Sequence, residues 1–497
     1  MFLLNKRFVS LSLVMCILFS GIAGRLGYII FSGRYAVSSS YNSYTITVDR
    51  IFPTIYDRNL QRLTNKTSGL AAVIRPNEKC FSELGLVFDR EERISVVEEL
   101  KQGYPVVRSI DKYPDCKYIK IFETKIRHNS DQLAKHLVTS CESLYPNAVG
   151  SRSVNFAVDA IGRLLEGDDG TVIENNYNTE YGCALTIDSD IQRCVERAAK
   201  DMKSGAVVVL DIKSSEALAV FSTPNDYFNR ALSEYTVGSV FKLIISACAL
   251  ENGINPFYIC TGEITVGDTT FSCQNKKIHG LQTMKNALAN SCNCYFINLA
   301  LMLGAEEIYK TAQSFGFGAE IRLADEWTLS NGNFPDLDSL QSKGELALIG
   351  FGQGSLTTTP LHFASIVAAI ANGGNYTSPS LLFGEIDDYG FLTEFERNTS
   401  ARIISEETAE KLREYMRYVV TNGTGALAEY NANSAGKTST AQSGRYIDGR
   451  EVLNTWFAGF YPYDDPKYAI VVTTEDGVSG SADCCPIFRT IVEKLDK

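Results

Sequence analysis

Ser239 and Lys242 lie three residues apart in the stretch from Thr236 to Leu250. Gly238 breaks the chain just before them, and from Val240 to Leu250 no breaker follows. Apolar residues occupy every side of the helical wheel there, and Lys242 is the only charge, so the pattern predicts a buried helix. Side chains three apart on a helix share a face. Ser239 is then expected at the helix N-terminus as a cap, where backbone N–H groups lack partners. A lysine in the first turn of a buried helix loses hydration and feels the positive end of the helix dipole. Both effects lower its pKa. A neutral amine beside a serine hydroxyl is a general base beside a nucleophile. Ser-x-x-Lys alone is a weak pattern. It recurs as Ser109-Ile-Asp-Lys112, after Pro105 and with no buried helix behind it.

The elements around this stretch are expected to form one α+β domain. Asp188 to Ser204 reads as an amphipathic helix, with Ile191, Cys194, Val195 and Ala198 on one face. The runs 206–212 and 216–221 read as a hairpin joined through Lys213-Ser-Ser215. A helical middle spans about 237–380. Strands return at Lys437–Gln442, Trp456–Tyr461 and Tyr468–Thr474, and an amphipathic helix fills 485–497. Early and late strands around a helical middle predict one antiparallel sheet closed by both ends of the domain, with helices packed on it. Upstream, 31–175 mixes short apolar runs (Thr45–Val48, Ala71–Ile74) with charged helical stretches at Arg90–Gln102 and Asp131–Ser143. The turn-rich 167–177 segment marks a boundary. The expected divisions are 1–35, 36–175 and 176–497.

Phe8 to Ile30 is apolar apart from Arg25 and long enough to cross a bilayer. Lys6-Arg7 before it predicts a cytoplasmic N-terminus and an extracytoplasmic bulk, anchored by a single pass. The rival reading is a cleaved signal peptide, with the small residues of Gly21-Ile-Ala23. The apolar run resumes as Leu26-Gly-Tyr-Ile-Ile30, which favours the uncleaved anchor. A net charge of −11 and the lack of a basic stripe argue against nucleic-acid binding. The 13 cysteines include no Cys-x-x-Cys pair and there are only 4 histidines, so no metal site and no cofactor is expected. Cys260 and Cys273 flank a polar loop. A disulfide and a pair of free thiols are equally compatible with that placement.

Two more groups follow Ser239-x-x-Lys242: Ser291-x-Asn293 on a polar loop, and Gly436-Lys-Thr-Ser-Thr440 opening a strand between small residues. Ser40-Tyr-Asn42 and Lys66-Thr-Ser68 repeat the patterns elsewhere, but only the 239/291/437 set has this order with these local structures. The order Ser-x-x-Lys, Ser-x-Asn, Lys-Thr-Gly resembles that of the penicillin-binding proteins and serine β-lactamases. Further stretches are similar to that superfamily: Leu185-Thr-Ile-Asp188, Asn229-Arg-Ala231, Gly350-Phe-Gly-Gln-Gly354, Trp456-Phe-Ala-Gly-Phe460 and Asp465-Pro-Lys-Tyr468. Arg50 and Ile55-Tyr-Asp-Arg58 resemble the start of the non-catalytic domain of class B penicillin-binding proteins.

The resemblance implies a transpeptidase domain built as an antiparallel sheet with helices on both sides and an all-helical subdomain. An elongated pedestal and one transmembrane helix would precede it. It implies a peptidoglycan D,D-transpeptidase in which Ser239 is acylated by a D-Ala-D-Ala stem peptide and Lys242 takes its proton. Ser291 would relay the proton to the leaving D-Ala, and Asn293 would hold the substrate amide. Lys437 and Thr438 would bind the terminal carboxylate, and the N–H groups of Ser239 and Thr440 would form the oxyanion hole. Gly436 and Ser439 would line the same strand. The acceptor would be an amine of a second stem peptide. β-Lactams would be trapped at Ser239, and a polytopic membrane glycosyltransferase is the implied partner. Ser439 departs from the pattern, which carries Gly there. Strand alternation predicts that its side chain points opposite to Thr438, toward the helical layer. The rival functions are a β-lactamase or β-lactam sensor on the same fold and a catalytically degenerate cell-wall scaffold.

Overall fold

The computed structural model describes residues 2–32, 42–224, 226–324 and 327–497. The helix Phe2–Ser32 contains a 21-residue span, Phe8–Tyr28, of mean hydropathy 1.9, long and apolar enough to cross a membrane. Its large side chains from Phe8 to Tyr28 are exposed, as a lipid-facing helix requires. The expected end of the anchor at 35/36 lies outside the described residues, as do Ser40 and Tyr41 of the Ser40-x-Asn42 repeat.

The chain divides into two compact units. The first comprises Met1–Ile51, Ser68–Lys125 and Gly150–Tyr177. It holds an antiparallel sheet of Ser43–Ile51, Gly150–Ala157 and Thr171–Asn175, and a second three-stranded sheet with Thr67–Ile74 at its centre. The helices Glu78–Val87 and Arg90–Leu100, capped by the side chains of Asn77 and Asp89, cover the second sheet. They bury Cys80, Leu84, Val96 and Leu100 against Ala72 and Ile74.

The second unit comprises Phe52–Thr67, Ile126–Val149 and Asn178–Lys497. The first two segments were expected in the pedestal, and the reason they lie elsewhere is physical. Thr54–Tyr56 pairs in parallel with Gly182–Leu185, and the helix Lys135–Glu142 buries Leu137, Val138 and Cys141 in the large core. Short segments go where their backbone and apolar face find partners, whatever their position in the sequence.

The centre of this unit is a five-stranded antiparallel sheet. Its strands are β1 (Gly205–Asp211), β2 (Ala217–Ser222), β3 (Ala435–Ile447), β4 (Arg450–Tyr461) and β5 (Tyr468–Glu475), in the order β2-β1-β5-β4-β3. Both ends of the domain therefore meet in one sheet. Alternate residues face opposite layers. Val207 and Val209 pack with Val195, Phe488, Ile491 and Val492 of the helices Ser189–Ala198 and Cys485–Leu495. Ala206, Val208 and Leu210 face the other way, toward the Pro360–Ala371 helix, every residue of which is buried. A strand covered on both faces reads as an unbroken apolar run, which is why 206–210 shows no alternation. The middle of the domain carries helices as expected. It also carries short two-stranded sheets, among them Tyr258–Cys260 with Gly280–Gln282 and Glu263–Val266 with Thr269–Ser272.

Candidate active site

Ser239 stands in a tight 3-10 turn, Gly238–Phe241, that runs straight into the helix Lys242–Glu251. Its hydroxyl makes no capping bond to the helix N–H groups, contrary to expectation, and lies 3.0 Å from Lys242 Nζ instead. The tighter turn brings the two side chains together while Gly238, Val240 and Phe241 stay buried and Ser239 keeps partial exposure. Gly238 has φ +61°, and a Cβ there would come within 2.4 Å of Ser439 Oγ and 2.8 Å of Ala441 Cβ. Its N–H donates to the Gly352 carbonyl at 2.8 Å. Gly352, at φ +83°, has no room for a Cβ, which would fall 1.9 Å from the Gly238 oxygen. The Gly350–Gly354 segment is thus a backbone clamp on the turn that carries Ser239.

Lys242 is fully buried and sits in a cage of oxygen atoms. Its Nζ donates to the Ser291 carbonyl at 2.8 Å and to Asn293 Oδ1 at 2.7 Å, and lies 3.3 Å from Ser291 Oγ. Burial lowers its pKa from 10.5 to about 8, outweighing the opposite effect of Cys292, Cys273 and Cys294. A neutral amine has two N–H donors and one lone pair. The two carbonyl acceptors take the donors, and the lone pair is left for the Ser239 O–H. Ser291 adopts a left-handed conformation, φ +53°, between the helices Met284–Ala289 and Asn293–Leu303, which turns both its carbonyl and its hydroxyl toward the lysines. Asn293 is held from the other side, its Nδ2 donating to the Ser272 carbonyl at 3.0 Å.

The third group lies on β3, an outermost strand of the sheet. Lys437 is fully buried, its Nζ 3.1 Å from Ser291 Oγ and 2.8 Å from the Thr438 carbonyl. Burial and the neighbouring Lys242 charge push its pKa well below the ordinary lysine range. Ser291 Oγ therefore bridges two lysines, one beside the serine and one on the strand. Thr438 Oγ1 is 2.6 Å from Thr424 Oγ1. Thr424 lies after the Glu406–Asn422 helix, with its N–H on the Ala289 carbonyl. Sequence reasoning missed Thr424, which no motif marks. Ser439 points opposite to Thr438, and its Oγ donates to the Val237 carbonyl at 2.9 Å. It is buried against the Ser239 turn. Gly436 is required by packing, since a Cβ there would sit 2.3 Å from the Phe457 ring. Thr440, half-buried, pairs with Thr455 across β4, and its Oγ1 accepts from the Gly480 N–H at 3.3 Å. Ser109 and Lys112 of the repeated Ser-x-x-Lys pattern belong to the other compact unit.

The penicillin binding protein transpeptidase domain model matches residues 205–493. The chain belongs to this family. Stage V sporulation protein D of Bacillus subtilis is 28% identical, over 95% of this chain and 82% of its own length. Penicillin-binding protein PbpB of Mycolicibacterium smegmatis is 33% identical, over 66% of this chain and 57% of that protein. Among solved structures, the D,D-transpeptidase domain of a peptidoglycan glycosyltransferase from Eggerthella lenta is 25% identical with a TM-score of 0.58, covering 70% of this chain and 95% of that one. Penicillin binding protein 3 of Mycobacterium tuberculosis, solved with aztreonam, shares the fold at 23% identity and a TM-score of 0.63, over 91% and 96% of the two chains.

Beside the Ser291 loop the fold gathers cysteines that are scattered in sequence. Cys260 Sγ is 3.7 Å from Cys273 Sγ and 3.5 Å from His279 Nδ1. Cys273 Sγ is 3.8 Å from Cys292 Sγ and 3.5 Å from Cys294 Sγ. All four cysteines are buried and unbonded. The donor atoms of Cys260, Cys273, His279 and Cys292 all lie within 4.8 Å of one another. The absence of Cys-x-x-Cys had argued against any such grouping. Spacing cannot report it, because the donors come from separate strands and loops. The one local signal was Cys292 and Cys294 on either side of Asn293.

Proposed function

We infer that this family member is a peptidoglycan D,D-transpeptidase working through an acyl-enzyme at Ser239. The observation that carries this is the pairing of Ser239 Oγ, 3.0 Å from a buried Lys242, with two carbonyl acceptors that occupy the amine's donors. Lys242 takes the hydroxyl proton as Ser239 Oγ attacks the penultimate D-Ala carbonyl of a stem peptide. The C–N bond breaks and D-Ala leaves, its nitrogen receiving a proton through Ser291, which touches both lysines. An amine of a second stem peptide then attacks the ester, forming the cross-link and freeing Ser239. Asn293 orients the substrate amide. Lys437 and Thr438, with Gly436 and Ser439 completing the strand, hold the terminal carboxylate, and the Ser239 and Thr440 N–H groups receive the oxyanion. A β-lactam presents the same carbonyl and carboxylate and stays on the serine. Mass spectrometry after benzylpenicillin treatment tests this. The adduct is expected on the Ser239 peptide and absent from Ser239→Ala. An adduct elsewhere on active protein refutes the assignment.

The anchor reading places the N-terminus in the cytoplasm and the catalytic unit outside, with a polytopic membrane glycosyltransferase as partner through the exposed apolar helix. Protease added to spheroplasts should degrade the catalytic unit. Its full protection would reverse the topology.

A further inference from the structure

We propose that Cys260, Cys273, Cys292 and His279 form a structural zinc site that fixes the Ser291-Cys292-Asn293 loop against Lys242. Three of the donor separations match those around a tetrahedral ion, and all the donors lie within 4.8 Å of one another. Zn–S bonds of about 2.3 Å place two sulfurs about 3.8 Å apart, and a Zn–N bond of about 2.0–2.1 Å places sulfur and nitrogen about 3.5 Å apart. The cluster has 3.7 and 3.8 Å between sulfurs and 3.5 Å from Cys260 to His279 Nδ1. Thiolates with one imidazole are the donors that zinc prefers over calcium or magnesium. Cys294, 3.5 Å from Cys273, stands next to the set as a further sulfur. The Gly262 N–H donates to Cys260 Sγ at 3.4 Å, the kind of outer bond that stabilises a metal thiolate. A disulfide would use two sulfurs and leave the remaining donors without a task, whereas a tetrahedral ion engages four at once.

The surrounding segment also needs a staple. Between 258 and 282 only Cys260, Gly262, Val266, Cys273 and Gln282 are buried, while Ile259, Ile278 and Leu281 are exposed. A hairpin segment without its own apolar core gains order from a metal, as small domains do. Cys273 follows Ser272, whose carbonyl holds Asn293 Nδ2, and Cys292 precedes Asn293. One ion would therefore grip Asn293 from both sides and, through its Oδ1, set the position of Lys242 Nζ. Metal binding is independent of the reaction at Ser239, whereas its effect on acylation rests on the transpeptidase reading.

The test uses the full chain in detergent. Elemental analysis should find about one zinc per chain, and cobalt substitution should give thiolate-to-metal charge-transfer and tetrahedral d–d bands. Cys260→Ser and His279→Ala should each weaken metal retention at least about tenfold, while Cys194→Ser, outside the cluster, should leave it unchanged. Chelation should lower the benzylpenicillin acylation rate about tenfold or more, with restoration on adding zinc. Absence of metal together with no cobalt spectrum overturns the site. So does a disulfide-linked peptide joining any two of these cysteines in native protein. An apo-protein that acylates at the full rate overturns the positioning role and leaves the metal count standing.

Discussion

Acylation by benzylpenicillin should slow steeply as pH falls below 8. Burial holds the Lys242 pKa near 8. About half of the molecules then carry the neutral amine at pH 8 and about 1% at pH 6, so the second-order acylation rate should drop about fiftyfold over that interval. Above pH 9 it should level, until other groups titrate. The same burial has a stability consequence whose sign is fixed. The folded pKa lies below the unfolded one, so the folded chain binds fewer protons, and stability is lost as pH falls from 10.5 toward 8. The loss at Lys242 amounts to about 3 kcal/mol. Stopped-flow or fluorescent-penicillin kinetics across pH 6–10 measures the first effect, and denaturant unfolding the second. Lys242→Arg keeps a charge that cannot be removed near neutrality and should cut acylation by about 10²–10⁴-fold at every pH. A flat wild-type profile between pH 6 and 9, or an inflection near 10.5, would refute a neutral Lys242 as the base.

Lys437→Ala should slow acylation far more than Ser439→Gly in the same rate assay, because it removes the buried amino group that bridges to Ser291. Ser439→Gly loses one hydrogen bond to Val237 and should change the rate less than about tenfold. A hundredfold acceleration would mean that Ser439 obstructs the cleft. Gly238→Ala should be severely destabilising in thermal unfolding, and less so in a Ser439→Gly background, since Ser439 Oγ is the nearest atom that its Cβ would meet. A strictly additive pair would disprove that contact. Thr424→Val should weaken acylation through Thr438 while leaving the pH profile of the rate in place.

What the sequence determined alone is what short-range patterns encode. An apolar wheel broken only by Lys242 means a buried helix, and the apolar runs 206–212 and 216–221 on either side of Lys213-Ser-Ser215 mean a hairpin. The three motifs in order mark the serine, the two lysines and the loop between them. Burial patterns and backbone breakers report on neighbours within a turn or a strand, so these features survive without the fold. Only the tertiary structure decided the rest. Thr54–Tyr56 joins the catalytic unit because its backbone pairs with a strand from beyond residue 180. Ser439 braces the Ser239 turn because β3 crosses it, and Gly352 clamps Gly238 from a loop more than a hundred residues away in sequence. Cys260, Cys273, His279 and Cys292 read as unrelated residues until strand pairing and the Asn293–Leu303 helix bring their donor atoms together. Such a cluster depends on long-range packing, and periodicity in the chain carries no record of which surfaces will meet.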